Sequence, residues 1–177
     1  GQQIFVHSIG VEAQDATIAA LRKLSSQHPR LDHRFTFEHV GMARYDQIRA
    51  MKALGASANV NIYYVWLRGE MYPKTFGTDR AEDLAPIGTL ASEGVPTTLH
   101  SDFPIGPPKP LLAITLAMTR IGQSGSRTLG PDQAVGLQTA LRMVTTDAAY
   151  VLGVDDIPLT RGVTRLRRVR RHSAYLN

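Results

Sequence analysis

The sequence contains no cysteine and only one tryptophan among its 177 residues. Without cysteine the chain can form no disulfide, no thiolate metal site and no cysteine nucleophile. No window reaches the roughly 18 unbroken apolar residues of a membrane span, so we predict no membrane partner. Apolar residues make up 43% of the chain and charged residues 20%. This composition is typical of one globular domain and argues against disorder.

The chain also lacks the features of a natural N-terminus. It begins Gly1-Gln2-Gln3, with no initiator methionine and no basic leader segment. We therefore find no signal peptide, expect a cytoplasmic protein, and interpret the start as truncated. Walker, GxGxxG, GxSxG and HExxH motifs are absent as well, which disfavours P-loop, Rossmann, serine-hydrolase and zincin chemistry.

The net charge of +5 is concentrated at one end of the chain. Residues 157–177 hold six arginines and no acid, whereas residues 1–156 hold 14 basic and 15 acidic groups. We therefore divide the chain into a nearly neutral domain, 1–156, and an Arg-rich tail, 157–177, interpreted as disordered or out of frame. A neutral domain argues against nucleic acid as a partner of the fold itself.

Apolar segments and helical patterns alternate along residues 1–156. Strand-like segments begin near residues 4, 35, 57 and 97, and apolar residues at helical spacing follow each of them. We interpret Asn61 to about Arg80, which is rich in aromatics and glycine, as a long loop. The alternation predicts an α/β fold with a parallel sheet covered by helices. The apolar character of the strands predicts burial on both faces.

Polar residues that can bind a metal follow three of these strands. His7 ends the first strand, His39 the second and Asp102 the fourth. The carboxyl ends of parallel strands meet at one rim, so these side chains should converge. Imidazole and carboxylate suit zinc, manganese or iron. Each residue alone also has an ordinary explanation, namely a hydrogen-bonded structural histidine or an aspartate that caps a turn.

Further residues are expected to line the same rim. His100 shares a strand face with Asp102 by two-residue alternation, and Asn61 and Tyr63 follow the third strand. We predict that these three residues contact the substrate, although His100 could equally be a core histidine. Glu38 should point away from His39, which favours a supporting or packing role.

At four segments the chain resembles the amidohydrolase superfamily, specifically the amidohydrolase-3 branch of metal-dependent hydrolases. These segments resemble the motifs that end barrel strands five, six and eight and the helix after the barrel: His7-Ser8-Ile9-Gly10, Phe37-Glu38-His39, Leu99-His100-Ser101-Asp102-Phe103-Pro104, and Ala140–Thr145. Their order and spacing together are fairly specific. The resemblance implies that this chain is the C-terminal half of a TIM-like (β/α)8 barrel, about four parallel βα units.

The resemblance also implies an activity and a cofactor. A hydrolase of this kind uses a metal-activated water on non-peptide, amide-like carbon–nitrogen bonds of a small molecule, with one or two divalent metal ions, usually zinc. His7, His39 and Asp102 would be metal ligands, and Asp102 would also be the general base. In a single-metal site, His39 would instead orient the water.

The chain departs from the family pattern in four places. It carries neither the His-x-His of strand one nor the strand-four ligand, and Val11 replaces the aspartate that usually follows the first motif. We therefore expect the missing N-terminal half of the barrel as a partner and expect the fragment to be inactive alone. After Asp156 the family's Gly-Lys continuation gives way to the Arg-rich tail, as a frameshift would produce.

Two other interpretations stay open. A half-barrel could be a non-catalytic interaction module whose basic tail binds nucleic acid or an acidic partner. An open flavodoxin-like or Rossmann sheet is the third possibility. The absence of a glycine fingerprint and the histidines at two strand ends argue against it.

Overall fold

The computed structural model describes residues 2–126 and 128–156. Four parallel strands form one sheet in the order β1-β2-β3-β4: β1 (Phe5–Ser8), β2 (Thr36–His39), β3 (Ser57–Asn61) and β4 (Thr97–His100). The predicted strand starts are confirmed to within one residue. Consecutive parallel βα units in this order form half of a (β/α)8 barrel. The predicted Arg-rich tail lies outside the described residues.

Helices connect the strands and pack against the sheet. Helix α1 (Val11–Gln27) follows β1, and α2 (Tyr45–Ala53) follows β2. Between β3 and β4 lie α3 (Tyr63–Arg68), α4 (Tyr72–Phe76), α5 (Thr78–Glu82) and α6 (Ile87–Ser92). After β4 come α7 (Pro110–Thr119), a 3₁₀ turn (Pro131–Gln133), α8 (Leu137–Val144) and α9 (Thr146–Leu152). Within the described residues, we find no helix with the length and apolarity to cross a membrane.

The segment interpreted as a long loop contains short helices instead. Gly69 and Gly77 end α3 and α4, and Pro73 lies in the first turn of α4. Glycine and proline therefore mark helix boundaries here, a role that they commonly take. The rings of Tyr72 and Phe76, four residues apart, lie 5.0 Å from each other. Such i,i+4 pairs stabilise short helices that have little stability of their own.

The two faces of the sheet differ in polarity. One face carries fully buried apolar residues such as Phe37, Ala58 and Val60, which join the core formed with the helices. The opposite face carries Thr36, Glu38, Ser57, Asn59, Asn61, Thr98 and His100, as the register of the strands shows. The predicted burial on both faces holds, since Thr36, Ser57 and Asn61 on the second face are buried as well. Their expected apolar character does not, because threonine, serine and asparagine occupy every second position and form a polar interior face.

A buried arginine at the end of α7 links the segment before α6 to the segment after α7. Arg120 is fully buried, and its guanidinium donates hydrogen bonds to the carbonyls of Leu129 (2.9 Å), Ala85 (2.9 Å) and Leu84 (2.5 Å). Burial lowers the pKa of Arg120 to about 10, so the side chain stays charged at neutral pH. Since all three acceptors are main-chain oxygens, Arg120 replaces the hydrogen bonds that a regular element would supply there.

We predict that Arg120→Met lowers the free energy of unfolding by about 3 kcal/mol, because buried carbonyls would lose their donors. Urea denaturation measures the change. The matched control is Arg49→Met on the exposed surface of α2, which should change stability by less than about 0.5 kcal/mol. Equal effects of the two substitutions would contradict the assigned role of Arg120.

A second arginine links the start of β2 to the last helix. Arg34 donates to the main-chain oxygen of Tyr150 (2.9 Å) and to the carboxylates of Asp155 (2.5 Å) and Asp32 (3.0 Å). Its guanidinium also lies 4.4 Å from the centroid of the Tyr150 ring. The hydrogen bond from Arg34 lowers the pKa of Asp155 below its usual value. These contacts hold α9 against the amino ends of the strands.

This arrangement predicts a pH-dependent contribution to stability. Because the pKa of Asp155 is lower in the folded state, its contribution is complete above the unfolded pKa of about 4 and is lost as the pH falls below it. The difference in urea midpoint between the unaltered chain and Asp155→Asn should therefore shrink between pH 7 and pH 3. The Asp156→Asn control, which removes no ion pair between described residues, should show no such trend. A pH-independent difference for Asp155→Asn would refute the prediction.

Candidate metal centre

The carboxyl ends of the strands place four ionisable residues at one rim. His7 lies in β1, His39 ends β2, His100 ends β4, and Asp102 follows two residues later. The rings of His7 and His39 lie 4.4 Å apart between centroids, and those of His39 and His100 lie 4.9 Å apart. The histidines from three strands therefore form a continuous row of imidazoles along the rim.

Three of these residues could share one cation. His39, His100 and Asp102 each offer a nitrogen or oxygen atom, and these atoms all lie within 4.8 Å of one another. Two imidazoles and a carboxylate are a donor set that suits zinc and similar divalent ions. His7 is not part of this cluster, but its ring contacts His39 directly. The rim therefore holds donors of the right chemistry for a metal ion.

Left-handed backbone conformations bring His39 and Asp102 to this rim. His39 has a φ of 74° and Asp102 a φ of 53°, and Val40 after His39 has a φ of 43°. Such conformations cost a non-glycine residue about 1–2 kcal/mol and are concentrated at functional sites. Strand alternation alone would direct His39 away from the face that carries His7 and His100. The left-handed turn at the end of β2 accounts for its contact with both rings.

Burial keeps two of the histidines neutral. Desolvation, followed by the nearby His7, lowers the pKa of His39, which is 8% exposed. Desolvation, followed by the nearby His39, lowers the pKa of His100 to about 4. Asp102 opposes both shifts. At neutral pH the two rings therefore carry no charge, which is the state in which imidazole binds a metal.

Tyr64 supports His39 from α3. Its phenol oxygen and Nδ1 of His39 are 3.3 Å apart, and the two rings are stacked with centroids 6.2 Å apart. When Nδ1–H donates to the phenol oxygen, Nε2 of His39 keeps a free lone pair for a cation. Tyr64 belongs to an aromatic run in the sequence, but nothing local connects it with His39, 25 residues earlier.

Glu38 lies on the polar interior face beside the histidines. Nδ2 of Asn59 donates to both carboxylate oxygens, at 3.0 and 2.9 Å. Burial raises the pKa of Glu38, and the hydrogen bonds from Asn59 oppose that shift. Oε2 of Glu38 lies 3.9 Å from Nε2 of His100. A supporting role for Glu38 is expected from the sequence, but its contact with Asn59 is not. The alignment of β2 with β3 could have indicated that contact.

The remaining predicted substrate contacts already have partners within the protein. Asn61 and Tyr63 are each 1% exposed. Oδ1 of Asn61 accepts the main-chain N–H of Tyr63 at 3.2 Å, and the Tyr63 hydroxyl donates to the carbonyl of Lys109 at 3.0 Å. His100, in contrast, has a buried Nε2 with no hydrogen-bond partner in the part of the chain that the structure describes. The role of all three in substrate binding stays a prediction.

Comparison with known proteins gives a family match over most of the chain. The sequence model of the amidohydrolase family matches residues 1–162 of this chain. The N-substituted formamide deformylase of Arthrobacter pascens is 30% identical over 156 residues, which cover 86% of this chain and 28% of that protein. The protein LONG AFTER FAR-RED 3 of Arabidopsis thaliana is 24% identical over 156 residues, which cover 88% and 27% of the two chains.

Two solved structures have the same fold. They are uncharacterized metal-dependent hydrolases from Pyrococcus furiosus and Pyrococcus horikoshii OT3, each with a TM-score of 0.73 and 24% sequence identity. The match covers 88% of this chain but only 30% and 31% of those chains. The chain thus spans less than a third of the length of the relatives that it matches.

Proposed function

Because this chain belongs to the amidohydrolase family, we propose that it supplies half of the active site of a metal-dependent hydrolase. The proposed reaction is hydrolysis of a non-peptide carbon–nitrogen bond in a small amide-like molecule. The observation that carries this proposal is the convergence of His39, His100 and Asp102, with His7 in contact with His39. The name of the Arthrobacter relative states a reaction on N-substituted formamides, which supports this substrate class.

We propose His7, His39 and Asp102 as ligands of one or two divalent ions, with zinc first among the candidates. The donor set fits such an ion because it combines two imidazoles with a carboxylate. When bound, the ion acts as a Lewis acid and activates water for attack. Further ligands would have to come from outside this half-barrel. We therefore expect weak metal binding and no turnover by the chain alone.

Asp102 is the proposed general base. Its carboxylate stands at the rim beside His39, where it can accept a proton from the attacking water and return it to the leaving nitrogen. The phenol of Tyr64 holds the His39 ring in place. His100, Asn61 and Tyr63 are proposed to line the substrate side of the site, where Asn61 and Tyr63 act through their packing because their polar groups are already bonded.

The metal assignment predicts zinc binding that depends on the rim histidines. We expect zinc to raise the melting temperature of the unaltered chain and His39→Asn to weaken the zinc affinity at least tenfold, as measured by calorimetric titration. The matched control is His28→Asn, since His28 is exposed in the loop after α1. Equal affinities of the two variants, or no binding by the unaltered chain, would refute the proposed site.

The role of Asp102 predicts a large loss of turnover. In an active preparation that combines this chain with a first half-barrel, Asp102→Asn should lower kcat on a formamide substrate by about 10²–10⁴-fold. Circular dichroism and urea denaturation check that the variant is folded. Turnover within a factor of two of that of the unaltered protein would exclude Asp102 as the base. Asp156→Asn serves as the matched carboxylate control.

A further inference from the structure

Three polar side chains from three adjacent strands meet on the interior face. Glu38 of β2 is in register with Asn59 of β3, and His100 ends β4 on the same face. Asn59 donates both of its observed hydrogen bonds to the Glu38 carboxylate. The bidentate contact fixes the carboxylate, because rotation would break one or both hydrogen bonds. The fixed carboxylate faces Nε2 of His100 at 3.9 Å.

The hydrogen bond on the other side of the His100 ring determines which nitrogen carries the proton. Nδ1 of His100 accepts the main-chain N–H of Asp102 at 3.2 Å. A neutral imidazole has one N–H and one free lone pair, so a ring that accepts at Nδ1 carries its proton on Nε2. That Nε2 is buried and has no hydrogen-bond partner within the described residues. A buried N–H requires an acceptor, and the Glu38 carboxylate stands opposite it.

We propose that Glu38, held by Asn59, is a positioning residue that keeps His100 in the Nε2–H tautomer and thereby fixes the main chain of Asp102. A shift of about 1 Å in either side chain would bring Nε2 and the carboxylate to hydrogen-bond distance. This inference rests on the proposed function for the role of Asp102. It implies that His100 is not a metal ligand. One of its nitrogens carries a proton and the other accepts from Asp102.

The conformation of Asp102 explains why such support is needed. Asp102 has a left-handed backbone with a φ of 53°, which is unfavourable for a residue with a side chain. The hydrogen bond from its N–H to His100 holds that conformation and so determines the direction of its carboxylate. The wrong tautomer would place two N–H groups against each other and would release Asp102 from this arrangement.

Glu38→Gln tests the inference because the amide reverses the polarity at His100. Asn59 donates, so the glutamine oxygen should turn to Asn59 and the glutamine NH₂ should face His100. This arrangement favours an unprotonated Nε2 and therefore the Nδ1–H tautomer. Long-range ¹H–¹⁵N spectra of the metal-free, histidine-labelled chain at about pH 8 report the tautomer directly.

We expect the Nε2–H tautomer in the unaltered chain, a shift toward Nδ1–H in Glu38→Gln, and hydrogen exchange at the Asp102 amide about tenfold faster in the variant. The matched control is Glu70→Gln, since Glu70 is exposed between α3 and α4 and should change neither readout. Asn59→Ala, which removes the clamp but keeps the carboxylate, should shift both readouts in the same direction to a smaller extent.

The outcomes separate this inference from the proposed function. An Nδ1–H tautomer in the unaltered chain, or an unchanged tautomer in Glu38→Gln, overturns the inference even when the chain binds zinc. Should Glu38→Gln fail to fold, an unchanged tautomer in Asn59→Ala overturns it instead. The expected tautomer shift in a chain that binds no zinc supports the inference while refuting the metal site. Where zinc binds, Glu38→Gln should weaken it about tenfold through the loss of Asp102 positioning.

Discussion

Parallel pairing of the four strands determines where the candidate functional side chains lie. Strands that run in one direction end at the same edge of a sheet, so residues separated by about 30 to 60 positions in sequence become neighbours there. His7, His39 and His100 form their row of rings for this reason. The helices supply apolar contacts to the sheet. Arg120 and Arg34 add hydrogen bonds to main-chain oxygens of segments that are distant in the sequence.

The polar interior face distinguishes this sheet from an ordinary buried one. Serine, threonine and asparagine at alternate positions cost stability when they are buried without partners. The Ser57 hydroxyl is an example, since it has no hydrogen-bond partner among residues 2–126 and 128–156. The same positions allow a carboxylate and two neutral imidazoles to lie close together in a partly dehydrated environment. That dehydration lowers the pKa of His39 and of His100. The polar interior face therefore costs stability but keeps these imidazoles neutral, the form that binds a metal.

Two strained residues connect the fold with its chemistry. The left-handed backbones at His39 and Asp102 bring side chains to the rim that regular strand geometry would direct elsewhere. Each strained residue is supported by a neighbour, His39 by the Tyr64 phenol and Asp102 by the His100 ring. Two of the proposed ligands therefore each have a hydrogen-bonded neighbour that helps to determine their orientation.

The sequence predicts the order of the βα units, the strand starts and the residues at strand ends, because apolar periodicity and turn residues act over short stretches of chain. It also indicated the family through four short motifs. The folded chain alone shows that the segment after β3 is helical, that Glu38 is hydrogen-bonded to Asn59, and that Tyr64 contacts His39. These features depend on register and contacts between distant segments, and on the left-handed turn at His39, which strand alternation does not predict.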